Sequence, residues 1–176
     1  MHIDIKYLPQ MPDETQMPDE TARRYLFVAI DRATRWVFVK LYADQTDGSS
    51  VDFLTKVQQA CPSRSSRCSP TTAADRFTAG GKKKEPSGMH VFDRLLCKQL
   101  GIEHRLIPPR HLQTNGMVDR FNGRISDIVN QTHFGSAAEL ESTLRNYVKT
   151  YNHSITQWAL KHKHPFRHLR NGTTMP

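Results

Sequence analysis

The sequence predicts a mixed α/β fold in which helices pack on a sheet, and three observations carry that expectation. β-rich runs dominate the first 43 residues, apolar stripes at helical spacing dominate the last 60, and the elements between them alternate. With 176 residues, 37% of them hydrophobic, the chain is long enough and apolar enough to bury a core.

Residues 2–9 (HIDIKYLP) read as a first strand. A tandem repeat follows, with QMPDET at Gln10–Thr15 and again at Gln16–Thr21. Two short polar copies do not make a stacking repeat fold. Residues 10–21 therefore read as a duplicated loop, a place where insertion is tolerated. Tyr25–Asp31 and Arg35–Ala43 are two further strands joined by the turn Arg32-Ala33-Thr34, an antiparallel hairpin. Ser49 or Ser50 is positioned to cap a helix that runs to Ala60 and buries Phe53, Leu54 and Val57.

The pattern then breaks. Residues 62–74 (PSRSSRCSPTTAA) contain no large aliphatic or aromatic side chain and read by composition as a linker. A basic stretch with Lys82, Lys83 and Lys84 continues to Gly88, so 62–88 forms one disrupted or flexible segment. Order resumes with a helix over 90–100, ended by Gly101, and a short strand over 102–107 stopped by Pro108 and Pro109. A long helix from about Asn115 carries Val118, Phe121, Ile125, Ile128 and Val129 on one face. Ser136 and Glu139 make a capping box for a last helix, whose stripe is Leu140, Leu144, Tyr147, Val148 and Tyr151. The expected domain is a single core over residues 1–170 with a tail at 171–176.

The formal charge is +8. Such an excess suits a polyanionic partner, since each cation placed on a phosphate releases counterions, and it equally suits a merely soluble basic protein. Three cysteines without paired spacing and no targeting segment predict a reducing cytoplasmic setting. No apolar run approaches the roughly 20 residues that span a bilayer, so no membrane partner is expected.

Three stretches carry a resemblance. They are His2-Ile3-Asp4-Ile5 with Ala29-Ile30-Asp31-Arg32-Ala33-Thr34-Arg35; Gly101-Ile102-Glu103-His104; and, most specific, the run from Ile107 to Asn122 (IPPRHLQTNGMVDRFN), with Tyr147–Ser154 (YVKTYNHS) in support. The chain resembles the integrase-core DDE transposases of bacterial insertion sequences, distant relatives of retroviral integrases. The resemblance implies a ribonuclease H-like fold with a mixed sheet and flanking helices. It also implies DNA integration or transposition by phosphodiester cleavage and strand transfer, with three acids holding two Mg²⁺ or Mn²⁺ ions. In that chemistry one ion activates the attacking oxygen and the other stabilises the leaving one, and hard cations take carboxylate oxygens.

Asp4 matches the first acid of the family. Asp119 stands where the family pattern N-G-x-V-E-R-F has Glu, one methylene longer. The second acid, expected in a strand ending T-D-N-G, is missing from its place within 63–74. A displaced reading frame accounts for this. With AGR codons for Arg64 and Arg67 and TCN codons for the serines, the shifted frame from Ser63 can spell K-I-V-K-V-L-T-D-N-G, the normal frame resuming at Asp75. The resemblance therefore implies a truncated and frameshifted copy with impaired catalysis and a disrupted sheet strand around 63–74.

Candidate DNA contacts are Lys82, Lys83, Lys84, Arg110, Asn115, Arg120 and Arg124, cations and amides that suit phosphate or, for the cations, simple solvation. Lys161-His162-Lys163-His164 reads as a solvated basic tail, since two alternating histidines lack the spacing of a structural zinc site. Three functional classes follow: a metal-dependent strand transferase; a non-catalytic module that binds nucleic acid or pairs with an intact transposase or with itself; and a decayed gene product. The first two place the protein at the bacterial nucleoid.

Overall fold

The structure, a computed structural model, describes residues 1–8, 24–61, 67–70, 103–104 and 112–172, with side chains at 1–8, 24–61 and 116–168. The duplicated loop, the lysine run at 82–84 and the helix expected over 90–100 lie outside the described residues.

Strands β2 (Arg24–Ile30) and β3 (Val37–Tyr42) pair antiparallel, as the hairpin pattern predicts, and β1 (His2–Leu8) pairs antiparallel with β2. The turn between β2 and β3 is built on Asp31. Its carboxylate accepts from the Thr34 amide at 3.0 Å and from the Thr34 hydroxyl at 2.5 Å, and its own amide donates to the Trp36 carbonyl at 2.8 Å. Arg35 closes this turn with φ of 62°, a left-handed conformation costly for a residue with a Cβ. Asp31, part of the sequence resemblance, is thus a buried turn anchor.

Helix α1 (Asp47–Ala60) starts earlier than the serines suggest. Thr46 is its cap, accepting from the Ser49 amide, and Ser49 and Ser50 lie inside the first turn. The reason is Asp44, whose carboxylate gathers the Thr46 amide at 3.0 Å and the Ser49 hydroxyl at 2.5 Å and so sets the cap ahead of the serines.

The disrupted strand is the main difference from expectation. Residues Arg67–Pro70 form β4, parallel to β1, and Glu103–His104 form β5, parallel to β4, giving the order β3-β2-β1-β4-β5. Ladder hydrogen bonds come from the main chain, so a polar segment can fill the place of an apolar strand. The substitute is short: β4 pairs with β1 only at His2↔Ser69 and Ile3↔Pro70.

Helix α2 (Leu112–Gln131) begins three residues before the expected Asn115. Its Val118, Phe121 and Ile125 are buried, and that burial outweighs the helix cost of Gly116 and Gly123, about 1 kcal/mol each relative to Ala. Helix α3 (Ala137–His153) has the predicted cap: Ser136 accepts from the Glu139 amide, while Glu139 reaches back to the Gly135 amide at 2.9 Å. A short 3₁₀ turn (Trp158–Leu160) leads to α4 (Pro165–Gly172).

The sheet is covered on both faces. Leu8, Leu26, Val28, Ile30 and Val37 pack on α2 and α3 through Phe121, Ile125, Leu140 and Leu144. Ile3, Phe27, Ala29 and Trp36 pack on α1 through Phe53, Leu54 and Val57. The edge strand β3 is held by Asn152 of α3, whose amide accepts from the Val37 amide at 2.9 Å and donates to the Val37 carbonyl at 2.7 Å. This buried amide acts as one further residue of strand. Asn152→Ala leaves both groups of Val37 unpaired; at about 1–3 kcal/mol, the melting temperature should fall by roughly 2–12 °C, read by circular dichroism.

Candidate active site

Asp4 sits at the middle of β1 and points to the face covered by α2 and α3, as the alternation of a strand requires. It is half-buried. Asn122, 118 residues later on α2, donates its Nδ2 to Asp4 Oδ2 at 2.7 Å. Asp119, one turn earlier on the same helix, is exposed, and its charge acts on Asp4. The structure thus brings together Asp4, Asp119 and Asn122, of which the sequence singled out the two acids and held Asn122 as the last residue of the motif run.

Burial raises the Asp4 carboxyl above the usual carboxylate range. The Ile5 amide and Asn122 oppose the shift, and the negative charge of Asp119 adds to it. Two residues away, His2 is buried, and desolvation lowers it to about 4, so it is neutral at pH 7. The Asn122 Oδ1 is also buried and has no hydrogen-bond partner among the described residues, while its Nδ2 is engaged. A buried acceptor without a donor beside a carboxylate suits a hydrated cation, whose waters supply the missing donor.

The donor set is oxygen only, two carboxylates and an amide, which fits Mg²⁺ or Mn²⁺ held by one or two carboxylates with the rest water or phosphate. Among the described residues no group of three or more His, Cys, Asp or Glu side chains converges. The paired register of β4 ends at Pro70 beside Ile3, one residue short of the level of Asp4. The sequence continues with Thr71 and Thr72 and has no acid before Asp75.

A helix starting at about Asn115 would put Asp119 near its N-terminus, and the structure corrects this. Because α2 begins at Leu112, Asp119 is its eighth residue, beyond the reach of the positive helix end. Arg120 and Arg124 are exposed on the same helix, Arg124 with its guanidinium 5.8 Å from the centre of the Tyr151 ring. The Asn115 side chain, Arg110, Lys82, Lys83 and Lys84 lie outside what is described. A contact that the sequence did not suggest joins Arg35 of the strained turn to the Met117 sulfur, two residues from Asp119.

Comparison with known proteins bears on this geometry. Residues 100–165, a little over a third of the chain, match the family described as Integrase core domain. A chain in the cryo-EM structure of a simian T-cell lymphotropic virus intasome in complex with PP2A regulatory subunit B56 gamma superposes with a TM-score of 0.69 at 16% identity. The match covers 99% of this chain and 55% of that one. The fold is ribonuclease H-like. It is integrase-like over nearly its whole length in fold, and over 100–165 in sequence. The chain spans about half the length of the matched intasome chain. No curated protein matches the sequence. The matched segment contains Asp119 and Asn122, and the fold supplies Asp4 from the other end of the chain.

The raised Asp4 sets a testable sign. The folded state holds its proton to higher pH than the unfolded state, so stability falls as pH rises from about 4 through the folded value. Asp4→Asn removes the buried charge. It should melt higher than the native chain at pH 7, with the gain vanishing below about pH 4. Millimolar Mg²⁺ should raise the melting point of the native chain and leave Asp4→Asn unmoved, because only the ionised carboxylate binds the cation.

Proposed function

We propose that this protein is an integrase-core DNA transposase of the insertion-sequence type by descent, acting on DNA by metal-dependent phosphodiester cleavage and strand transfer, with impaired catalysis. The observation that carries the reading is the juxtaposition of Asp4 and Asp119, far apart in sequence, through the Asn122 hydrogen bond on a ribonuclease H-like sheet. DNA is the partner, through the +8 charge and the exposed Arg120 and Arg124. Self-association or pairing with an intact relative, in the bacterial cytoplasm at the nucleoid, belongs to the same reading.

Asp4 and Asp119 would hold Mg²⁺ or Mn²⁺, which when bound supplies charge stabilisation at the reacting phosphate. Asn122 orients the Asp4 carboxylate, and the half-buried position of Asp4 limits the water around it. Impairment rests on two residues. Asp119 is a methylene shorter than the Glu of the family pattern, and a displacement near 1 Å in a positioned site costs on the order of 100-fold. The second acid is absent where it is due. The register of β4 supports the frameshift reading of that absence, since the displaced frame places Asp at the Pro70–Thr71 junction and Pro70 stands beside Ile3.

Purified protein with Mn²⁺ and pre-nicked DNA should cleave or join strands above an Asp4→Ala control, and Asp119→Glu should raise that activity by on the order of 100-fold. Equal activity of the native chain and Asp4→Ala sinks the catalytic reading. Salt-sensitive DNA binding without cleavage then leaves the non-catalytic module. Sequencing the coding DNA across codons 60–78 tests the frameshift: a displaced frame without T-D-N-G removes it.

A further inference from the structure

The segment after α3 is unlike the rest of the molecule in charge and in exposure. Glu141 is the last acidic residue of the chain; beyond it come six Lys or Arg residues and four histidines with no carboxylate side chain among them. Within this stretch Trp158 is 84% exposed. Among the described residues the only other exposed large hydrophobic side chain is Tyr7, at 45%, on β1. An indole that open to water is ordinarily turned inward, as Trp36 is at 3%.

The backbone that presents it is locked. Gln157 and Lys163 form a bridge, with the Gln157 amide on the Lys163 carbonyl at 3.0 Å. The Leu160, Lys161 and His162 amides donate back to Gln157, Trp158 and Gln157 carbonyls at 3.0, 3.0 and 3.1 Å. Lys161 and His162 both hold left-handed φ, at 52° and 58°, without being glycine. Two such residues in a row are strained and persist only where the surroundings impose them. Leu160 is buried beneath the turn, and Phe166 beyond it stacks on His153 at 4.1 Å and packs into the α1-side core. At the other end the turn begins at Gln157, five residues after Asn152, which is fixed to Val37. The core therefore holds a strained turn whose outer face is an indole flanked by cations.

The flanking chemistry identifies the ligand. Lys161 and His162 are exposed next to Trp158, and Lys163 is half-buried. A protein partner favours an apolar patch depleted of lysine; here the same short turn that exposes the indole carries Lys161 and Lys163. An aromatic face bordered by phosphate-seeking cations is the combination that binds unpaired nucleotides, the base stacking on the ring and the backbone meeting the lysines. We infer that the Trp158 turn, with Lys161 and Lys163, is a nucleic-acid contact that stacks an unpaired base of the DNA substrate, such as a single-stranded strand end. This rests on the DNA reading of the site above and adds to it a preference for frayed or tailed DNA over blunt duplex.

The two tryptophans make the test direct, because Trp36 is buried and Trp158 is not. Full-length protein is titrated with a duplex bearing a single-stranded dT tail and with the same duplex made blunt, following tryptophan emission and affinity. The tailed DNA should quench the emission, and Trp158→Phe should remove most of the quenching by removing the emitting indole. Trp158→Ala should weaken tailed DNA by about 5- to 150-fold, Trp158→Phe by less, and neither should change blunt duplex, since stacking is worth about 1–3 kcal/mol per base. The double variant Lys161→Gln, Lys163→Gln should weaken both DNAs and flatten the salt slope by about 1.5. Unchanged melting of Trp158→Ala, expected for so exposed a side chain, separates loss of contact from loss of fold. If Trp158→Ala binds tailed DNA like the native chain, the inference fails and the transposase reading stands. If the native chain binds neither DNA, both fail. Quenching that follows protein concentration without DNA identifies self-association instead and overturns the inference.

Discussion

Both faces of β2 are covered, and most of the molecule is arranged around that constraint. Leu26, Phe27, Val28, Ala29 and Ile30 are all 0% exposed, so successive side chains must find apolar cover on opposite sides of the sheet. The even-numbered ones meet α2 and α3, the odd-numbered ones α1. At about 1.5–3 kcal/mol for each large apolar side chain buried, this strand alone is comparable to the whole stability of a domain before conformational entropy is set against it. A slip of one residue would exchange the two faces, so the register is strongly held. Pairing passes that register to β1, where Val28 stands opposite Asp4. The position of the carboxylate beneath α2 is a consequence of how β2 packs.

Other parts of the site depend on the same constraint. With Asp4 held on the α2 side of a covered sheet, its charge is partly desolvated, which raises its pKa and makes it a group that gains from a cation. Asn122 meets it because α2 lies against β1 through Val118, Phe121 and Ile125, and an amide one residue after Phe121 faces the strand. The Asp31 turn and the Asn152 amide close one end of the sheet, and they tie β3 to α3 and to the segment that presents Trp158. The surface ion pairs of Glu141 with Lys40 and Arg145 are partly exposed and contribute little beside this burial.

The polar segment at 67–70 shows how far a sheet position can be occupied without the usual side chains. Backbone pairing suffices to place β4 between β1 and β5, but only four residues take part. Its two-pair contact with β1 ends before the level of Asp4, where a two-ion site would need another carboxylate. Among the described residues the fold brings Asp4 under the helix that carries Asp119, and no third acidic side chain joins them.

The strands β1 to β3, the stripes of α2 and α3 and the Ser136 cap were legible in the sequence, because periodicity and capping are local properties and these segments agree with their surroundings. Asp4 and Asp119 were legible only through motif resemblance, since nothing local joins residues 115 positions apart. The cap at Thr46 is local too, set by the Asp44 carboxylate two residues before it. The tertiary structure alone decided three things: the start of α2 at Leu112, set by burial against the sheet; the strand at 67–70, set by a vacant ladder; and the exposure of Trp158. In each case the deciding partner is a long-range packing surface or a hydrogen bond to another part of the backbone, and composition carries no record of either. Length and periodicity determined that this chain folds as helices on a sheet, and its composition that it carries a charge of +8. Burial of both faces of that sheet decided which of its side chains meet, and so where its chemistry lies.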